Sequence, residues 1–177
     1  MPDLTVSPEI TLSPLSEAEV LTLYHLVRKN HSFLRRSLSW VDSIVDEEDM
    51  LRYIRHRVSA YQSSSWYIIR FRGAAAGIIG VKGVVQRQAE LSYWLAKDMC
   101  KKGLVILSLN FLENQLLRAG RVDLLCFRCE PDNKPSIRVA LRTGASYRYA
   151  RKEMDTDTGE QKIYNIYVKR IRKRASA

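Results

Sequence analysis

Apolar and polar positions alternate along much of this chain. Where the period lengthens from two to about 3.6, the reading changes from strand to helix. "EITLSPL" alternates and predicts a first strand. Ser16-Glu17-Ala18-Glu19 has the form of a capping box, Ser16 as N-cap and Glu19 reaching back, and opens a helix through "LTLYHLVRK". "NHSFLRRSLSW" is mixed and predicts a short helix and loop, after which Asp46 is placed to cap a second long helix, "EEDMLRYIRHRVSAY". "SWYIIRFRGAAAGIIGVKGV" reads as two strands joined by a turn near Arg72-Gly73, and "AELSYWL" as a third.

After Gly103 the spacing of Val105, Leu109, Leu112 and Leu116 predicts a helix with one buried stripe, ended by Gly120. "RVDLLCFRC" is a strand and "PSIRVALRTG" a shorter helix closed by Gly144. "SYRYARKEM" and "KIYNIYVKR" alternate around a hairpin turn at Asp157-Thr158-Gly159-Glu160. The order is strand, two helices, three strands, helix, strand, helix, two strands. It predicts an α+β fold: a mixed, mostly antiparallel sheet of about seven strands flanked by helices, with one strand–helix–strand crossover. A single domain over 1–170 and a basic tail over 171–177 are expected, without repeats or long linkers.

Composition narrows the class. The 177 residues are 46% hydrophobic and 27% charged, ordinary for a globular domain. No signal peptide is read at Met1-Pro2-Asp3 and no apolar run reaches about 18 residues, so a cytoplasmic protein without a membrane span is expected. The formal net charge of +10 attracts nucleic acid, anionic coenzymes or acidic proteins without choosing among them. Cys100, Cys126 and Cys129 read as free thiols. Cys126 and Cys129 form a C-x-x-C, but on a strand they point to opposite faces, and no second pair completes a zinc site. His25, His31 and His56 share no spacing that makes a metal site or triad, so no metal is expected.

One junction stands out. In "WLAKDMCKKGLVILSL" a strand hands over to a helix through Lys101-Lys102-Gly103, which puts free backbone N–H groups, a helix dipole and two cations at one point. That combination suits a phosphate group.

At these residues the chain resembles the GNAT acetyltransferases, in particular the ribosomal-protein-serine N-acetyltransferase branch, the RimL-like proteins. Four segments carry the resemblance: "NHSFLRRSLSWVDSIVDEED" as the acceptor-lining helix and loop, "AELSYWLAKDMCKKG" as central strand and pyrophosphate loop, "DNKPSIRVALRTGA" as the Asn-x-x-Ser helix, and "KEMDTDTGEQKIYNIY" as the last hairpin. The family's loop usually reads Gln or Arg, two residues, Gly, one residue, then Gly or Ala. Here the frame is Cys100-Lys101-Lys102-Gly103-Leu104-Val105, which keeps the Gly and places β-branched Val105 where it is expected to crowd the ligand.

The resemblance implies an N-acetyltransferase that uses acetyl-CoA as co-substrate. The acceptor would be a protein N-terminus or small amine, on an acidic or ribosomal protein, and a homodimer is left open. It assigns Leu95, Lys101, Lys102, Gly103, Leu104, Val105 and Asn133 to the coenzyme and Trp40 and Tyr93 to the acceptor. Ser136 would protonate the leaving thiolate, and Glu90 or Asp155 would be the base or amine-orienting carboxylate. Plainer roles stand beside these: an N-cap for Ser136, an Asx turn for Asn133, surface acids for Glu90 and Asp155, a core plug for Trp40. Two other classes compete, a non-catalytic acyl-CoA-binding module and a nucleic-acid-associated protein. No RNA-binding motif supports the second.

Overall fold

The computed structural model describes residues 2–60, 62–155 and 158–171. Eight strands form one sheet: β1 (Leu4–Ser7), β2 (Ile10–Pro14), β3 (Ser65–Phe71), β4 (Ala74–Val85), β5 (Gln88–Leu95), β6 (Leu124–Cys129), β7 (Ser146–Met154) and β8 (Gln161–Arg170). Their order is β1-β2-β3-β4-β5-β6-β8-β7. Only β5 and β6 are parallel; every other pairing is antiparallel. Five α-helices accompany them: α1 (Val20–Lys29), α2 (His31–Leu34), α3 (Glu47–Ser59), α4 (Leu104–Ala119) and α5 (Lys134–Arg142). The α+β architecture is the expected one.

Alternation along the strands sorts side chains onto two faces. Tyr67, Ile69, Ile79, Val81, Leu91, Leu125 and Phe127 pack with Leu104, Val105, Leu109 and Leu112 of α4 and Ala140 of α5. Trp66, Ile68, Ile78 and Trp94 face the other way, against Leu23 and Val27 of α1, Leu34, Trp40, and Met50 and Ile54 of α3. Where α1–α3 no longer cover that second face, Cys126, Tyr164, Ile166 and Val168 make a small satellite cluster. Cys126 and Cys129 thus fall into clusters on opposite faces and are free thiols. Gly80 pairs with Trp66 across β3 and β4, and a Cβ there would stand 2.5 Å from Trp66 Cε3. Glycine at this position lets the indole lie over β4.

Four expectations are corrected or refined. The sheet has eight strands rather than about seven, because four-residue β1 hairpins onto β2 through a turn whose Ser7 Oγ accepts from the Glu9 and Ile10 amides. The Ser16 capping box does not form. Residues Glu17–Glu19 make a 3-10 turn without a side-chain cap bond, and Glu19 instead accepts from Arg70 at 2.6 Å, a partly buried pair that outcompetes an exposed cap. The capping box of this chain is Asp46 with Asp49, whose side chains each bond the other's backbone N–H. The last hairpin closes through Asp155 N–H to Glu160 O at 2.7 Å and Gly159 N–H to Asp155 O at 2.8 Å, while Asp157 lies outside the described residues, as does the tail beyond Ile171.

Asp46→Ala should therefore cost about 1 kcal/mol in urea unfolding. Ser16→Ala, which removes no cap bond, should stay within about 0.5 kcal/mol of the parent.

Candidate active site

The parallel pairing of β5 with β6 runs from Gln88↔Leu124 to Leu91↔Phe127 and goes no further among the described residues. Beyond that point β5 continues to Leu95 against β4, while β6 ends at Cys129 and the chain turns through Pro131 into α5. The two strands part, and a cleft of about 140 Å³ opens at the split. Trp40, Glu90, Tyr93, Asn133, Ser136 and Asp155 all line it. Residues far apart in sequence are thus brought to one cavity.

On the α4/α5 side the groups are neutral. Asn133 is the N-cap of α5, its Oδ1 accepting the Ser136 amide at 3.2 Å. That leaves the Ser136 hydroxyl out of the cap. Ser136 Oγ lies 3.2 Å from the Tyr93 hydroxyl and 3.4 Å from Cys129 Sγ, and Tyr93 donates to the Ser136 carbonyl at 3.1 Å. Burial pushes the Tyr93 pKa well up, against the opposing pull of its bond to Ser136. Burial likewise raises the Cys129 thiol. All three groups therefore carry their protons at neutral pH, and the cluster can give a proton rather than take one.

On the opposite side the groups are ionic. Glu90 Oε1 stands 3.5 Å from Lys82 Nζ and 3.4 Å from Arg128 Nε. Arg128 also holds Glu153 at 2.7 Å and lies over the Tyr164 ring at 4.6 Å. Asp155, nearly buried, takes Lys162 Nζ at 2.9 Å and the Tyr164 hydroxyl at 3.3 Å on Oδ2, and the Thr158 amide at 3.2 Å on Oδ1. Neither carboxylate is a plain surface acid. Trp40 is both wall and core: it sits on a 3-10 turn, Ser39–Ser43, stacks on Tyr53 at 4.2 Å and approaches Trp94 at 6.1 Å. Lys82, Arg128, Glu130 and Lys162 were missed from sequence, because cations and acids are exposed by default and only the sheet register shows which ones meet.

The other candidates lie outside the cleft lining, at the far end of β5. Leu95 is the last residue of that strand, paired with Gly77. Gly103 precedes α4 with φ +75 and open space around the position of a Cβ, and Lys101 also has positive φ. Both lysines are exposed, and the first N–H groups of α4 have no intrahelical acceptor. Leu104 and Val105 open α4 and are buried in the main core. Cys100 Sγ donates to the Ala96 carbonyl at 3.4 Å. Among the described residues no group of three or more His, Cys, Asp or Glu could hold a metal ion, and no helix is long and apolar enough to cross a membrane.

Comparison with known proteins agrees with this geometry. The model of the acetyltransferase (GNAT) domain matches residues 9–146. The ribosomal-protein-serine acetyltransferase of Escherichia coli (strain K12) is 28% identical over 145 residues, 80% of this chain and 81% of that protein. A RimL ribosomal α-N-protein acetyltransferase solved in complex with coenzyme A is similar at TM-score 0.85 and 24% identity, covering 96% of this chain and 98% of that one. MccE, a microcin self-immunity acetyltransferase solved with acetyl-CoA and AMP, is similar at TM-score 0.84 and 24% identity, over 93% of this chain and 94% of that one. With a split parallel pair at its centre and most of its length matched by that domain, the chain belongs to the GNAT family of acetyltransferases.

Proposed function

We propose that the protein transfers the acetyl group of acetyl-CoA directly to a primary amine, most naturally the α-amine of a protein N-terminus. The observation that carries this reading is the hydroxyl of Ser136, released from capping duty by Asn133, at the edge of the gap where β5 and β6 part. In the reading, the coenzyme's pyrophosphate lies on the amides of Gly103, Leu104 and Val105, with Lys101 and Lys102 supplying charge. The pantetheine arm follows β5 past Leu95 and meets Asn133, bringing the thioester sulfur to Ser136.

The amine enters beside Trp40, where Glu90 and Asp155 offer hydrogen-bond acceptors. An α-amine has a pKa near 8, so only modest help is needed to free its lone pair at neutral pH. Attack on the thioester carbonyl forms the new C–N bond and a tetrahedral oxyanion, the nitrogen passes its surplus proton to Glu90 or Asp155, and collapse breaks the C–S bond and expels the thiolate. Ser136 then donates its proton to sulfur and is resupplied from the Cys129 thiol, which is held protonated 3.4 Å from its Oγ, while the Tyr93 hydroxyl orients the serine. A thiol kept protonated is a poor nucleophile, which favours direct transfer over an acyl-cysteine intermediate. The 28% identical ribosomal-protein-serine acetyltransferase supports a polypeptide acceptor.

Acetyl-CoA at a hundred times its dissociation constant should stabilise the fold by about 2.7 kcal/mol, read as a rise in Tm. Gly103→Val should weaken that binding in a folded protein. Unchanged affinity would place the phosphates elsewhere. Ser136→Ala should lower kcat on N-terminal peptides by about a hundredfold to ten-thousandfold while leaving coenzyme affinity and Tm nearly intact, because Asn133 still caps the backbone N–H that the substitution leaves in place. Tight acetyl-CoA binding with no transfer to any peptide or polyamine would replace this reading with a coenzyme-binding module.

A further inference from the structure

Lys162 was not singled out by the sequence, yet its ammonium joins three separate elements at the cleft. Nζ lies 3.0 Å from Ser39 Oγ, on the turn that carries Trp40. It lies 3.1 Å from Glu130 Oε1, directly after β6, and 2.9 Å from Asp155 Oδ2, at the foot of the β7–β8 hairpin. The bonds to Glu130 and Ser39 span 32 and 123 positions of sequence, so they fix tertiary geometry rather than local structure. The side chain is only 18% exposed. Burial alone would lower its pKa, but the bonds to Asp155 and Glu130 outweigh burial and raise it, so the ammonium persists at any working pH.

We propose that Lys162 is a positioning residue for the acceptor amine: its ammonium holds the Asp155 carboxylate in place while tying Glu130 and the Trp40 turn to the same point. The proposal rests on the acetyl-transfer reading above. Without Lys162, the carboxylates of Asp155 and Glu130, 2.9 Å and 3.1 Å from Nζ, would lose the ammonium that joins them, and their like charges would push Asp155 out of place. The neighbouring groups are poor substitutes. Tyr164 offers Asp155 a neutral hydroxyl, and burial followed by the charge of Asp155 raises its pKa to about 12. Arg128 is engaged by Glu90 and Glu153, and Lys82 stands by Glu90. The reach of Asp155 toward an incoming amine is thus set by where the Lys162 ammonium anchors it.

The sign follows from charge. Removing a cation from a carboxylate raises the carboxylate's pKa, so the acid limb of activity should move to higher pH. The test compares wild type, Lys162→Met and Lys162→Arg in kcat/KM for an N-terminal peptide across pH, with acetyl-CoA affinity measured by calorimetry. Carbon-13 titration of the Asp155 carboxyl is followed in the same three proteins. Lys162→Met should lose about tenfold to a hundredfold in kcat/KM at neutral pH, recover as pH rises, and keep acetyl-CoA affinity within about twofold. Lys162→Arg should restore most of the loss. The Asp155 titration midpoint should rise in the Met variant and return toward wild type in the Arg variant. An unmoved midpoint and pH profile, or an Arg variant as damaged as the Met variant, overturns the proposal. If the wild type acetylates no amine, the transfer reading falls by itself, and the titration still decides whether Lys162 governs Asp155.

Discussion

Everything at this site depends on two parallel strands ceasing to pair. β5 and β6 hold register from Gln88↔Leu124 to Leu91↔Phe127 and then separate. The separation is built in from both sides. β5 stays paired with β4 as far as Gly77↔Leu95, across a register shift between Val81 and Gly83 that lies opposite Leu91 and Glu90, where β6 leaves. β6 is cut short at Cys129, and Pro131, which lacks an N–H, precedes the turn into α5. Tyr93 occupies the opening edge-on to Phe127 at 6.5 Å and bonds Ser136 across it.

The split also divides the chemistry by charge. On the side of the main core the cleft presents a hydroxyl, a phenol and a thiol, kept protonated by burial. On the other side it presents carboxylates in contact with lysines and an arginine. A reaction that frees an amine of its proton and hands a proton to a thiolate uses both halves. The sheet keeps them apart because Tyr93 and Glu90, an odd number of residues apart on β5, project to opposite faces. The same alternation that sorts the two cores sorts the neutral hydroxyls from the carboxylates.

The legible part of this protein was its local pattern. The stripe Val105, Leu109, Leu112 on α4 packs as its spacing requires, and Asp46 caps α3. Ser136 and Asn133 were read together, and the cap falls on Asn133 because its amide oxygen reaches the Ser136 N–H while the serine sits inside the first turn. What was not legible depends on long-range register. β1 has four residues and too little periodicity to declare itself. Glu19 looked like half of a capping box because the sequence does not show that β3 brings Arg70 beside it. Lys162 looked like one of many surface cations, since its partners lie up to 123 positions away.

The central claim is that the coenzyme lies in the split, along the backbone edge β5 keeps after β6 has turned away. Residue-resolved amide hydrogen exchange with and without acetyl-CoA tests this most directly. The account predicts slowed exchange confined to three places, Ser92–Leu95 on β5, Gly103–Ile106 at the start of α4 and Asn133–Ser136 at the start of α5, with α1, α3 and the β1–β2 hairpin unchanged. Saturating acetyl-CoA that protects none of these segments, or protects a different part of the molecule, would contradict it.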